Sequence, residues 1–300
     1  MNRILVTGAN GLVGSTLKRL LVGNEYEIFT TDLIGDVNFR GDLKDRDFVN
    51  SLPEVDCIIN CAAVQYLTPN IPFLKRRKYF YENNVLPIKN LNKKYCDSVK
   101  FFIQFGSSMM YKKKFDGQYN AINNFASNGI YSESKCQAYE ESQKLKCSFA
   151  FIIPSIIAGS GRKGFFSLIA TMINRFRIVI MPGACSHATG VVHVDDVCNL
   201  VMKILAVQAE GIFNADSGER ASISEWVDLI SKKLNKKIFK IKIPLTLFKC
   251  IGFLSSYRFI AKEQLMILEH PQCLNLLESQ AIGWQPAKSI EKILADTLEV

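Results

Sequence analysis

The chain has 300 residues, of which 48% are hydrophobic and 22% charged, and it carries a formal net charge of +9. That balance is ordinary for a globular protein and excludes disordered and fibrous classes, and no run reaches the roughly 18 apolar residues of a membrane span. The positive charge is divided among separate runs, Lys75–Lys78, Lys112–Lys114 and the alternating lysines from Lys232 to Lys242, which read as solvated faces and loops in preference to a nucleic-acid surface.

In chain order, Arg3–Thr7 reads as a strand, with no secretory signal before it, and a helix is expected from Gly11 to Val22. Glu27–Asp32 reads as the second strand and Asp56–Cys61 as a third, buried one. A helix over Asn84–Cys96, a strand over Phe101–Gly106, a helix over Tyr131–Leu145 and a strand over Ser148–Pro154 continue the alternation. That order is the signature of a parallel sheet covered by helices.

After Gly161 the pattern changes. Phe165–Arg175 reads as an amphipathic helix and Pro182–Gly190 as a loop. Val191–Val194 and Gly211–Asn214 read as strands returning to the sheet, with a helix over Asp195–Ala206 between them. Ile223–Leu234 and Ser289–Glu299 are the last well-defined helices. The apolar stretch Ile243–Ala261, interrupted by Lys249 and Arg258, reads as a surface helix region and not as a membrane-associated one. Together these predict an α/β fold, a Rossmann-type doubly wound parallel sheet over residues 1–160 with 191–215 returning to it. A smaller C-terminal α+β substrate lobe is expected over 161–300. Nine cysteines without a Cys-x-x-Cys pair argue against disulfides and zinc, so a reducing cytoplasm is the natural compartment.

Two constellations carry chemistry. The first is Thr7-Gly8-Ala9-Asn10-Gly11-Leu12-Val13-Gly14, which follows a strand and opens a helix. Its glycines permit a tight turn, close approach of a pyrophosphate and close helix–strand packing, with the phosphates at the positive end of the helix. Asp32, ending the second strand, can accept hydrogen bonds from both ribose hydroxyls and would repel a 2′-phosphate, which selects NAD over NADP. Asp42, in Gly41-Asp42-Leu43, can reach the adenine edge.

The second is Tyr131-x-x-x-Lys135 with Ser107-Ser108 upstream. Residues four apart share a helix face, so the lysine ammonium is expected to lower the tyrosine pKa and make the phenol an acid or base near neutral pH.

At these residues the chain resembles the extended short-chain dehydrogenase/reductase superfamily, in its NAD-dependent nucleotide-sugar epimerase/dehydratase branch. The resemblance spans Thr7 to Gly14, Gly41-Asp42-Leu43, Asn60-Cys61-Ala62-Ala63, Asn84-Val85 opening a helix, and Ser107-Ser108-Met109-Met110-Tyr111. It continues through Tyr131-Ser-Glu-Ser-Lys135, Pro154-Ser155, His193-Val194-Asp195-Asp196-Val197, Asn214-Ala-Asp-Ser217-Gly218 and Gly283-Trp284-x-Pro286. It implies catalysis by Ser107, Tyr131 and Lys135, with Tyr131 exchanging a proton with a sugar hydroxyl while NAD exchanges hydride with the same carbon. It implies cofactor contacts at Gly8, Asn10, Gly11, Leu12, Val13, Gly14, Asp32, Asp42, Leu43, Cys61, Ala62, Ala63, Asn84, Tyr131, Lys135 and Pro154. It also implies a nucleotide-sugar substrate and a homodimer through the helices carrying Asn84 and Tyr131.

Departures from the pattern narrow the reaction. The family's 4,6-dehydratases have Asp-Glu after the catalytic Ser/Thr, where this chain has Ser108-Met109, so dehydration is not expected. The usual phosphate-gripping arginines are absent near Pro154 and upstream of His193; Arg162, Lys163, Arg175, Arg177 and Arg258 are the candidates to replace them. What remains open is a 4-epimerase, a 4-keto-sugar reductase or a scaffold without turnover.

Overall fold

The computed structural model describes residues 2–298 apart from 69, 163, 184, 259 and 260, so Lys163 and Glu299 lie outside the described residues. The first half runs β1 (Arg3–Thr7), α1 (Leu12–Leu21), β2 (Glu27–Asp32), β3 (Phe39–Arg40), α2 (Arg46–Ser51) and β4 (Cys57–Asn60). It continues through α3 (Arg76–Asn84), α4 (Leu86–Tyr95), β5 (Phe101–Phe105), β6 (Gln118–Tyr119), α5 (Ile130–Ser142) and β7 (Ser148–Pro154). The second half holds β8 (Ile156–Ala158), α6 (Phe165–Phe176), β9 (Ile178–Pro182), β10 (Ala188–Thr189), β11 (Val191–His193), α7 (Val194–Val207) and β12 (Gly211–Ala215). Then come β13 (Ala221–Ser222), α8 (Ile223–Lys233), β14 (Phe239–Ile243), α9 (Leu245–Leu254), α10 (Lys262–Glu269), β15 (Cys273–Leu274), α11 (Leu277–Ala281) and α12 (Ile290–Leu298).

Seven parallel strands form the central sheet in the order β12-β7-β5-β4-β1-β2-β3. β4 and β5 are buried at every residue because helices cover both faces, which is why their sequences are continuous apolar runs without alternation. On one face Leu17 and Leu21 of α1 share a core with Val197, Val201 and Ile204 of α7. On the other, Leu91 and Tyr95 of α4 pack with Leu5, Ile58 and Phe102. Strand order reverses at β1, so the loops after β1 and β4 diverge there and leave a crevice at the carboxyl ends.

Several elements depart from the sequence reading. The basic run at Lys75–Lys78 begins a helix, α3, whose buried residues are Phe80 and Asn84; so narrow an apolar face leaves little periodicity to read. Asn84 therefore ends α3 and does not open a helix, and α4 starts afresh at Leu86 with Pro87 in its first turn, where a missing N–H costs least. Val191–His193 pairs with β8, leaving Gly211–Ala215 as the part of 191–215 that enters the central sheet. The lysine-alternating segment, finally, is strand β14, paired in parallel with β9.

A separate core lies under the C-terminal half. Trp226, Val227 and Ile230 of α8, Ile169 and Ile173 of α6, Val179 and Met181 of β9, and Ile293 of α12 form it. Asp196, buried at the start of α7, accepts the backbone N–H groups of Ala287 and Lys288, and Trp284 donates to its carbonyl. These bonds tie the C-terminal segment to the sheet domain. Among the described residues no helix is long and apolar enough to cross a membrane.

Candidate active site

Thr7 ends β1, and the chain turns at Gly8 with φ 62°, a value that favours glycine. A side chain at Gly8 would meet the backbone of Ala62 at 2.7 Å, and one at Gly14 would meet the Gly8 carbonyl at 2.1 Å. The loop after β1 is thus pressed against both α1 and the Cys61-Ala62-Ala63 loop after β4. Thr7 Oγ1 fixes that contact, donating to Asn60 Oδ1 at 2.5 Å and accepting from Ala62 N at 3.2 Å.

Helix α1 begins at Leu12 with no side-chain cap and no acidic residue in its first turn. Its N-terminal N–H groups and their positive end are therefore available to an anion, which is what a pyrophosphate requires. Asp32 closes the other side, accepting Asn10 N at 2.8 Å and Leu33 N at 2.7 Å, and each carboxylate oxygen keeps further acceptor capacity. Asp42 lies farther out, ion-paired to Lys44 at 3.3 Å. The Leu43 side chain is buried with Val49 and Ala62 in the core, and its carbonyl accepts from Asn90. Uncapped helix end, glycine cradle and acidic strand end together fit a dinucleotide.

The chemistry-bearing side chains meet beyond β5. Ser107 follows the strand and caps a single 3-10 turn, and its hydroxyl stands beside the Tyr131 phenol, where it favours the charged form. Lys135, one turn further along α5 and buried, donates to the Phe105 carbonyl at 3.1 Å. Burial pushes Lys135 down to about 8 and Tyr131 up to about 12. The expectation that Lys135 lowers the tyrosine is corrected here: the downward pulls come from the Ser107 hydroxyl and the Arg162 guanidinium, and burial outweighs both. Cys61 sits next to Lys135, its thiol pushed up by burial. Pro154 ends β7, buried, and Asn84 clamps α5 from the side by donating to Ser134 Oγ at 2.9 Å and gripping Val64 through its N–H and carbonyl.

Four residues outside the sequence-based set complete the site. Tyr66 and Phe80 pack their rings against Tyr131 at 5.6 and 5.8 Å. Gln65 accepts from Arg162 Nη2 at 3.0 Å. Arg162 is consequently the one described candidate cation that stands beside Tyr131; Arg175 lies over Phe176 and Arg258 over Phe73. Arg177 ends α6 in a left-handed conformation. Glu263 of α10 is 1% exposed and accepts Tyr131 N, Ser132 N and Ser132 Oγ at 3.1–3.2 Å on one oxygen, with Tyr66 OH at 2.9 Å on the other. It caps α5 where the local N-cap, Gly129, has no side chain to do so. No sequence signal links positions so far apart, whereas Arg162 was legible as a spare cation in a glycine-rich loop.

His193, expected as a hydrogen-bonding residue, caps α7 through Nδ1, which accepts Asp195 N at 3.1 Å. Tyr111 is structural too, its hydroxyl donating to Asn214 at 2.7 Å. Ser108 reaches Gln272 Oε1 at 3.4 Å.

The model of the NAD dependent epimerase/dehydratase family matches residues 4–215. Over 99% of the chain and 94% of the relative, the sequence is 22% identical to UDP-glucose 4-epimerase of Vibrio cholerae. Among solved structures it superposes on MoeE5 in complex with UDP-glucuronic acid and NAD with TM-score 0.81, at 19% identity, covering 99% of this chain and 98% of that one. It superposes on dTDP-4-dehydrorhamnose reductase of Bacillus anthracis str. Ames, in complex with NADP, with TM-score 0.77 and 17% identity over 99% of both chains. At those identities the superpositions establish the shared fold, while the family match over the sheet domain assigns the chain: it belongs to the NAD-dependent epimerase/dehydratase family.

Proposed function

We propose that the chain is an NAD-dependent enzyme acting at C4 of a nucleotide-sugar through a 4-keto species, and that it is an epimerase. The observation that carries this reading is Tyr131 standing beside Ser107, with Lys135 one turn away on the same helix and bonded to the Phe105 carbonyl. Bound NAD supplies a hydride acceptor and donor. Tyr131 Oη takes the proton of the C4 hydroxyl, or returns it to the ketone oxygen. Ser107 orients that oxygen by its own hydrogen bond. Lys135, with one carbonyl partner in place, has two further N–H donors for ribose hydroxyls. Asp32 accepts the adenosine ribose hydroxyls, and Gly8, Gly11 and Gly14 admit the pyrophosphate, with Leu12 and Val13 offering backbone N–H groups. Arg162 grips substrate phosphate or sugar oxygens.

Dehydration is not part of the proposal. It needs an acid and a base beside Ser107, where Ser108 and Met109 stand; Ser108 bonds Gln272 and Met109 carries no ionisable group. The second reading is a 4-keto-sugar reductase, favoured by the same proton relay run toward the alcohol. A homodimer through α3 and α5, which are joined by the Arg77–Glu133 pair at 3.1 Å, belongs to this proposal, and sedimentation equilibrium tests it.

Stoichiometry separates the two reactions. UDP-, GDP- and dTDP-sugars are incubated with the protein while NADH absorbance is followed. Interconversion of two 4-epimers without net NADH change supports the epimerase. Steady NADH consumption with a 4-keto sugar supports the reductase, and no turnover in either assay refutes both.

A further inference from the structure

Helix α9 exposes most of its apolar residues. Its sequence, Leu-Thr-Leu-Phe-Lys-Cys-Ile-Gly-Phe-Leu, holds one charged residue, yet Gly252 is its one buried position. Phe253 is 72% exposed and Leu254 82%, with Leu247 and Ile251 also exposed. Strand β14 runs into α9 through Pro244 alone. Its register with β9 pairs Phe239 with Ile178 and Ile241 with Ile180, and all four are exposed. The opposite side of β9, Val179 and Met181, enters the core. The outward strip of this two-stranded sheet is therefore apolar where a solvated face would be polar.

Charge defines what this surface fits. From Leu229 to Lys262 the sequence has nine lysines and arginines and no aspartate or glutamate, and of the nine Lys240 is paired to Asp228. Lys113 and Lys262 border the same groove as Phe253 and Leu254. Lys249, the charge within α9, is paired to Glu269 of α10. A second copy of the chain seated here would bring two such basic segments face to face, and like charges across an interface oppose association. A duplex nucleic acid would satisfy the lysines but, with its bases stacked inside, gain little from the exposed phenylalanine side chains, and no nucleic acid gains from the exposed leucine and isoleucine ones. An anionic bilayer satisfies both, because its headgroups take the lysines while its acyl boundary takes the apolar side chains. Ten helical residues span about 15 Å, too short to cross a bilayer and suited to lying in its surface.

We propose that α9, with the adjoining β14 strip, seats the protein on an anionic membrane surface as a peripheral, interfacial attachment. The sequence reading of Ile243–Ala261 as a surface helix region is met by α9, whose apolar side chains are exposed. The attachment is independent of the reaction assigned above, since none of its residues touches Ser107, Tyr131, Lys135 or the glycine loop.

Flotation of the full-length protein with vesicles tests it, using 7:3 phosphatidylcholine:phosphatidylglycerol against pure phosphatidylcholine at 0.15 M and 0.5 M NaCl. The expected result is flotation with the anionic vesicles, at least tenfold weaker with the neutral ones and partly retained at high salt. The Phe253→Glu/Leu254→Glu double variant, both sites being exposed, is expected to keep its melting temperature and NAD binding and to lose at least tenfold in partitioning. Absence of flotation with anionic vesicles overturns the proposal. So does unchanged partitioning of a folded double variant, and so does complete loss of binding at 0.5 M NaCl, which would mark a polyanion site. A double variant that changes sedimentation from dimer to monomer without changing lipid binding would mark a protein interface and overturn it as well.

Discussion

Tyr131 and Lys135 show how burial and chemistry oppose each other in one helix turn. Tyr131 is pushed up to about 12 by burial despite Ser107 and Arg162, so toward a ketone oxygen it is already in the proton-donating form, whereas toward a hydroxyl the phenol must first lose its own proton. Tyr131→Phe is expected to lower kcat at least 10³-fold with NAD binding intact, as measured by turnover and by nucleotide titration; near-normal turnover would remove Tyr131 from the mechanism. Lys135 carries a stability cost. Its folded value of about 8 lies below the ordinary 10.5, so the charged form is disfavoured by folding. Below pH 8 both states are protonated and the full cost, about 3 kcal/mol, applies. Between pH 8 and 10.5 the unfolded chain binds the extra proton, so stability rises with pH until the cost is gone. Lys135→Met is therefore expected to melt several degrees higher than the parent at pH 7, with the gap closing near pH 10.5, and to be inactive. A variant less stable at pH 7 would contradict the burial argument. Asp32→Ala is expected to weaken NAD by about 2 kcal/mol, some 30-fold, and NADP much less, because a carboxylate–hydroxyl bond is lost only with the former. Comparable losses for both nucleotides would dissociate Asp32 from the ribose.

At the scale of elements, α5 is capped from 130 residues away. Gly129 lacks a Cβ because one would lie 2.0 Å from Glu263 Oε2, so the glycine and the glutamate are two halves of one contact. Glu263→Ala and Gly129→Ala are each expected to cost about 2 kcal/mol, the range of a lost helix cap plus a disturbed buried carboxylate. The double variant should cost clearly less than the sum, since the space vacated by Glu263 receives the new methyl group. Full additivity in denaturant unfolding would mean the two residues act separately. The legible and illegible parts of the fold divide along this same line. Strand β1, the glycine loop, α1 and the helix carrying Tyr131 and Lys135 are encoded within short windows, and the structure has β1, α1 and α5 close to the bounds read. Helix α3 was hidden because its buried face is two residues wide. β14 was hidden because it is turned inside out: Phe239 and Ile241 face outward while Lys240 turns to Ser224 and Asp228 of α8. Glu263, Gln65 and Tyr66 were invisible because their meaning exists only after the C-terminal half has folded back on the sheet.

For the whole molecule, one sheet organises everything, and its edge strand arrives late. β12 joins β7 through five register pairs, from Gly211–Ala150 to Ala215–Pro154, and Asn214 from that strand holds Tyr111, Tyr119 and Asn275 by side-chain hydrogen bonds. Synthesis runs from the N-terminus, so β7, with Phe151, Ile152 and Ile153 in its middle, emerges some 57 residues before its outer neighbour begins. Until then its outer backbone edge is an open template for pairing with other chains. The growing polypeptide thus passes through an interval of self-association risk that the finished protein conceals, and ribosome pausing between β7 and β12 would lengthen it.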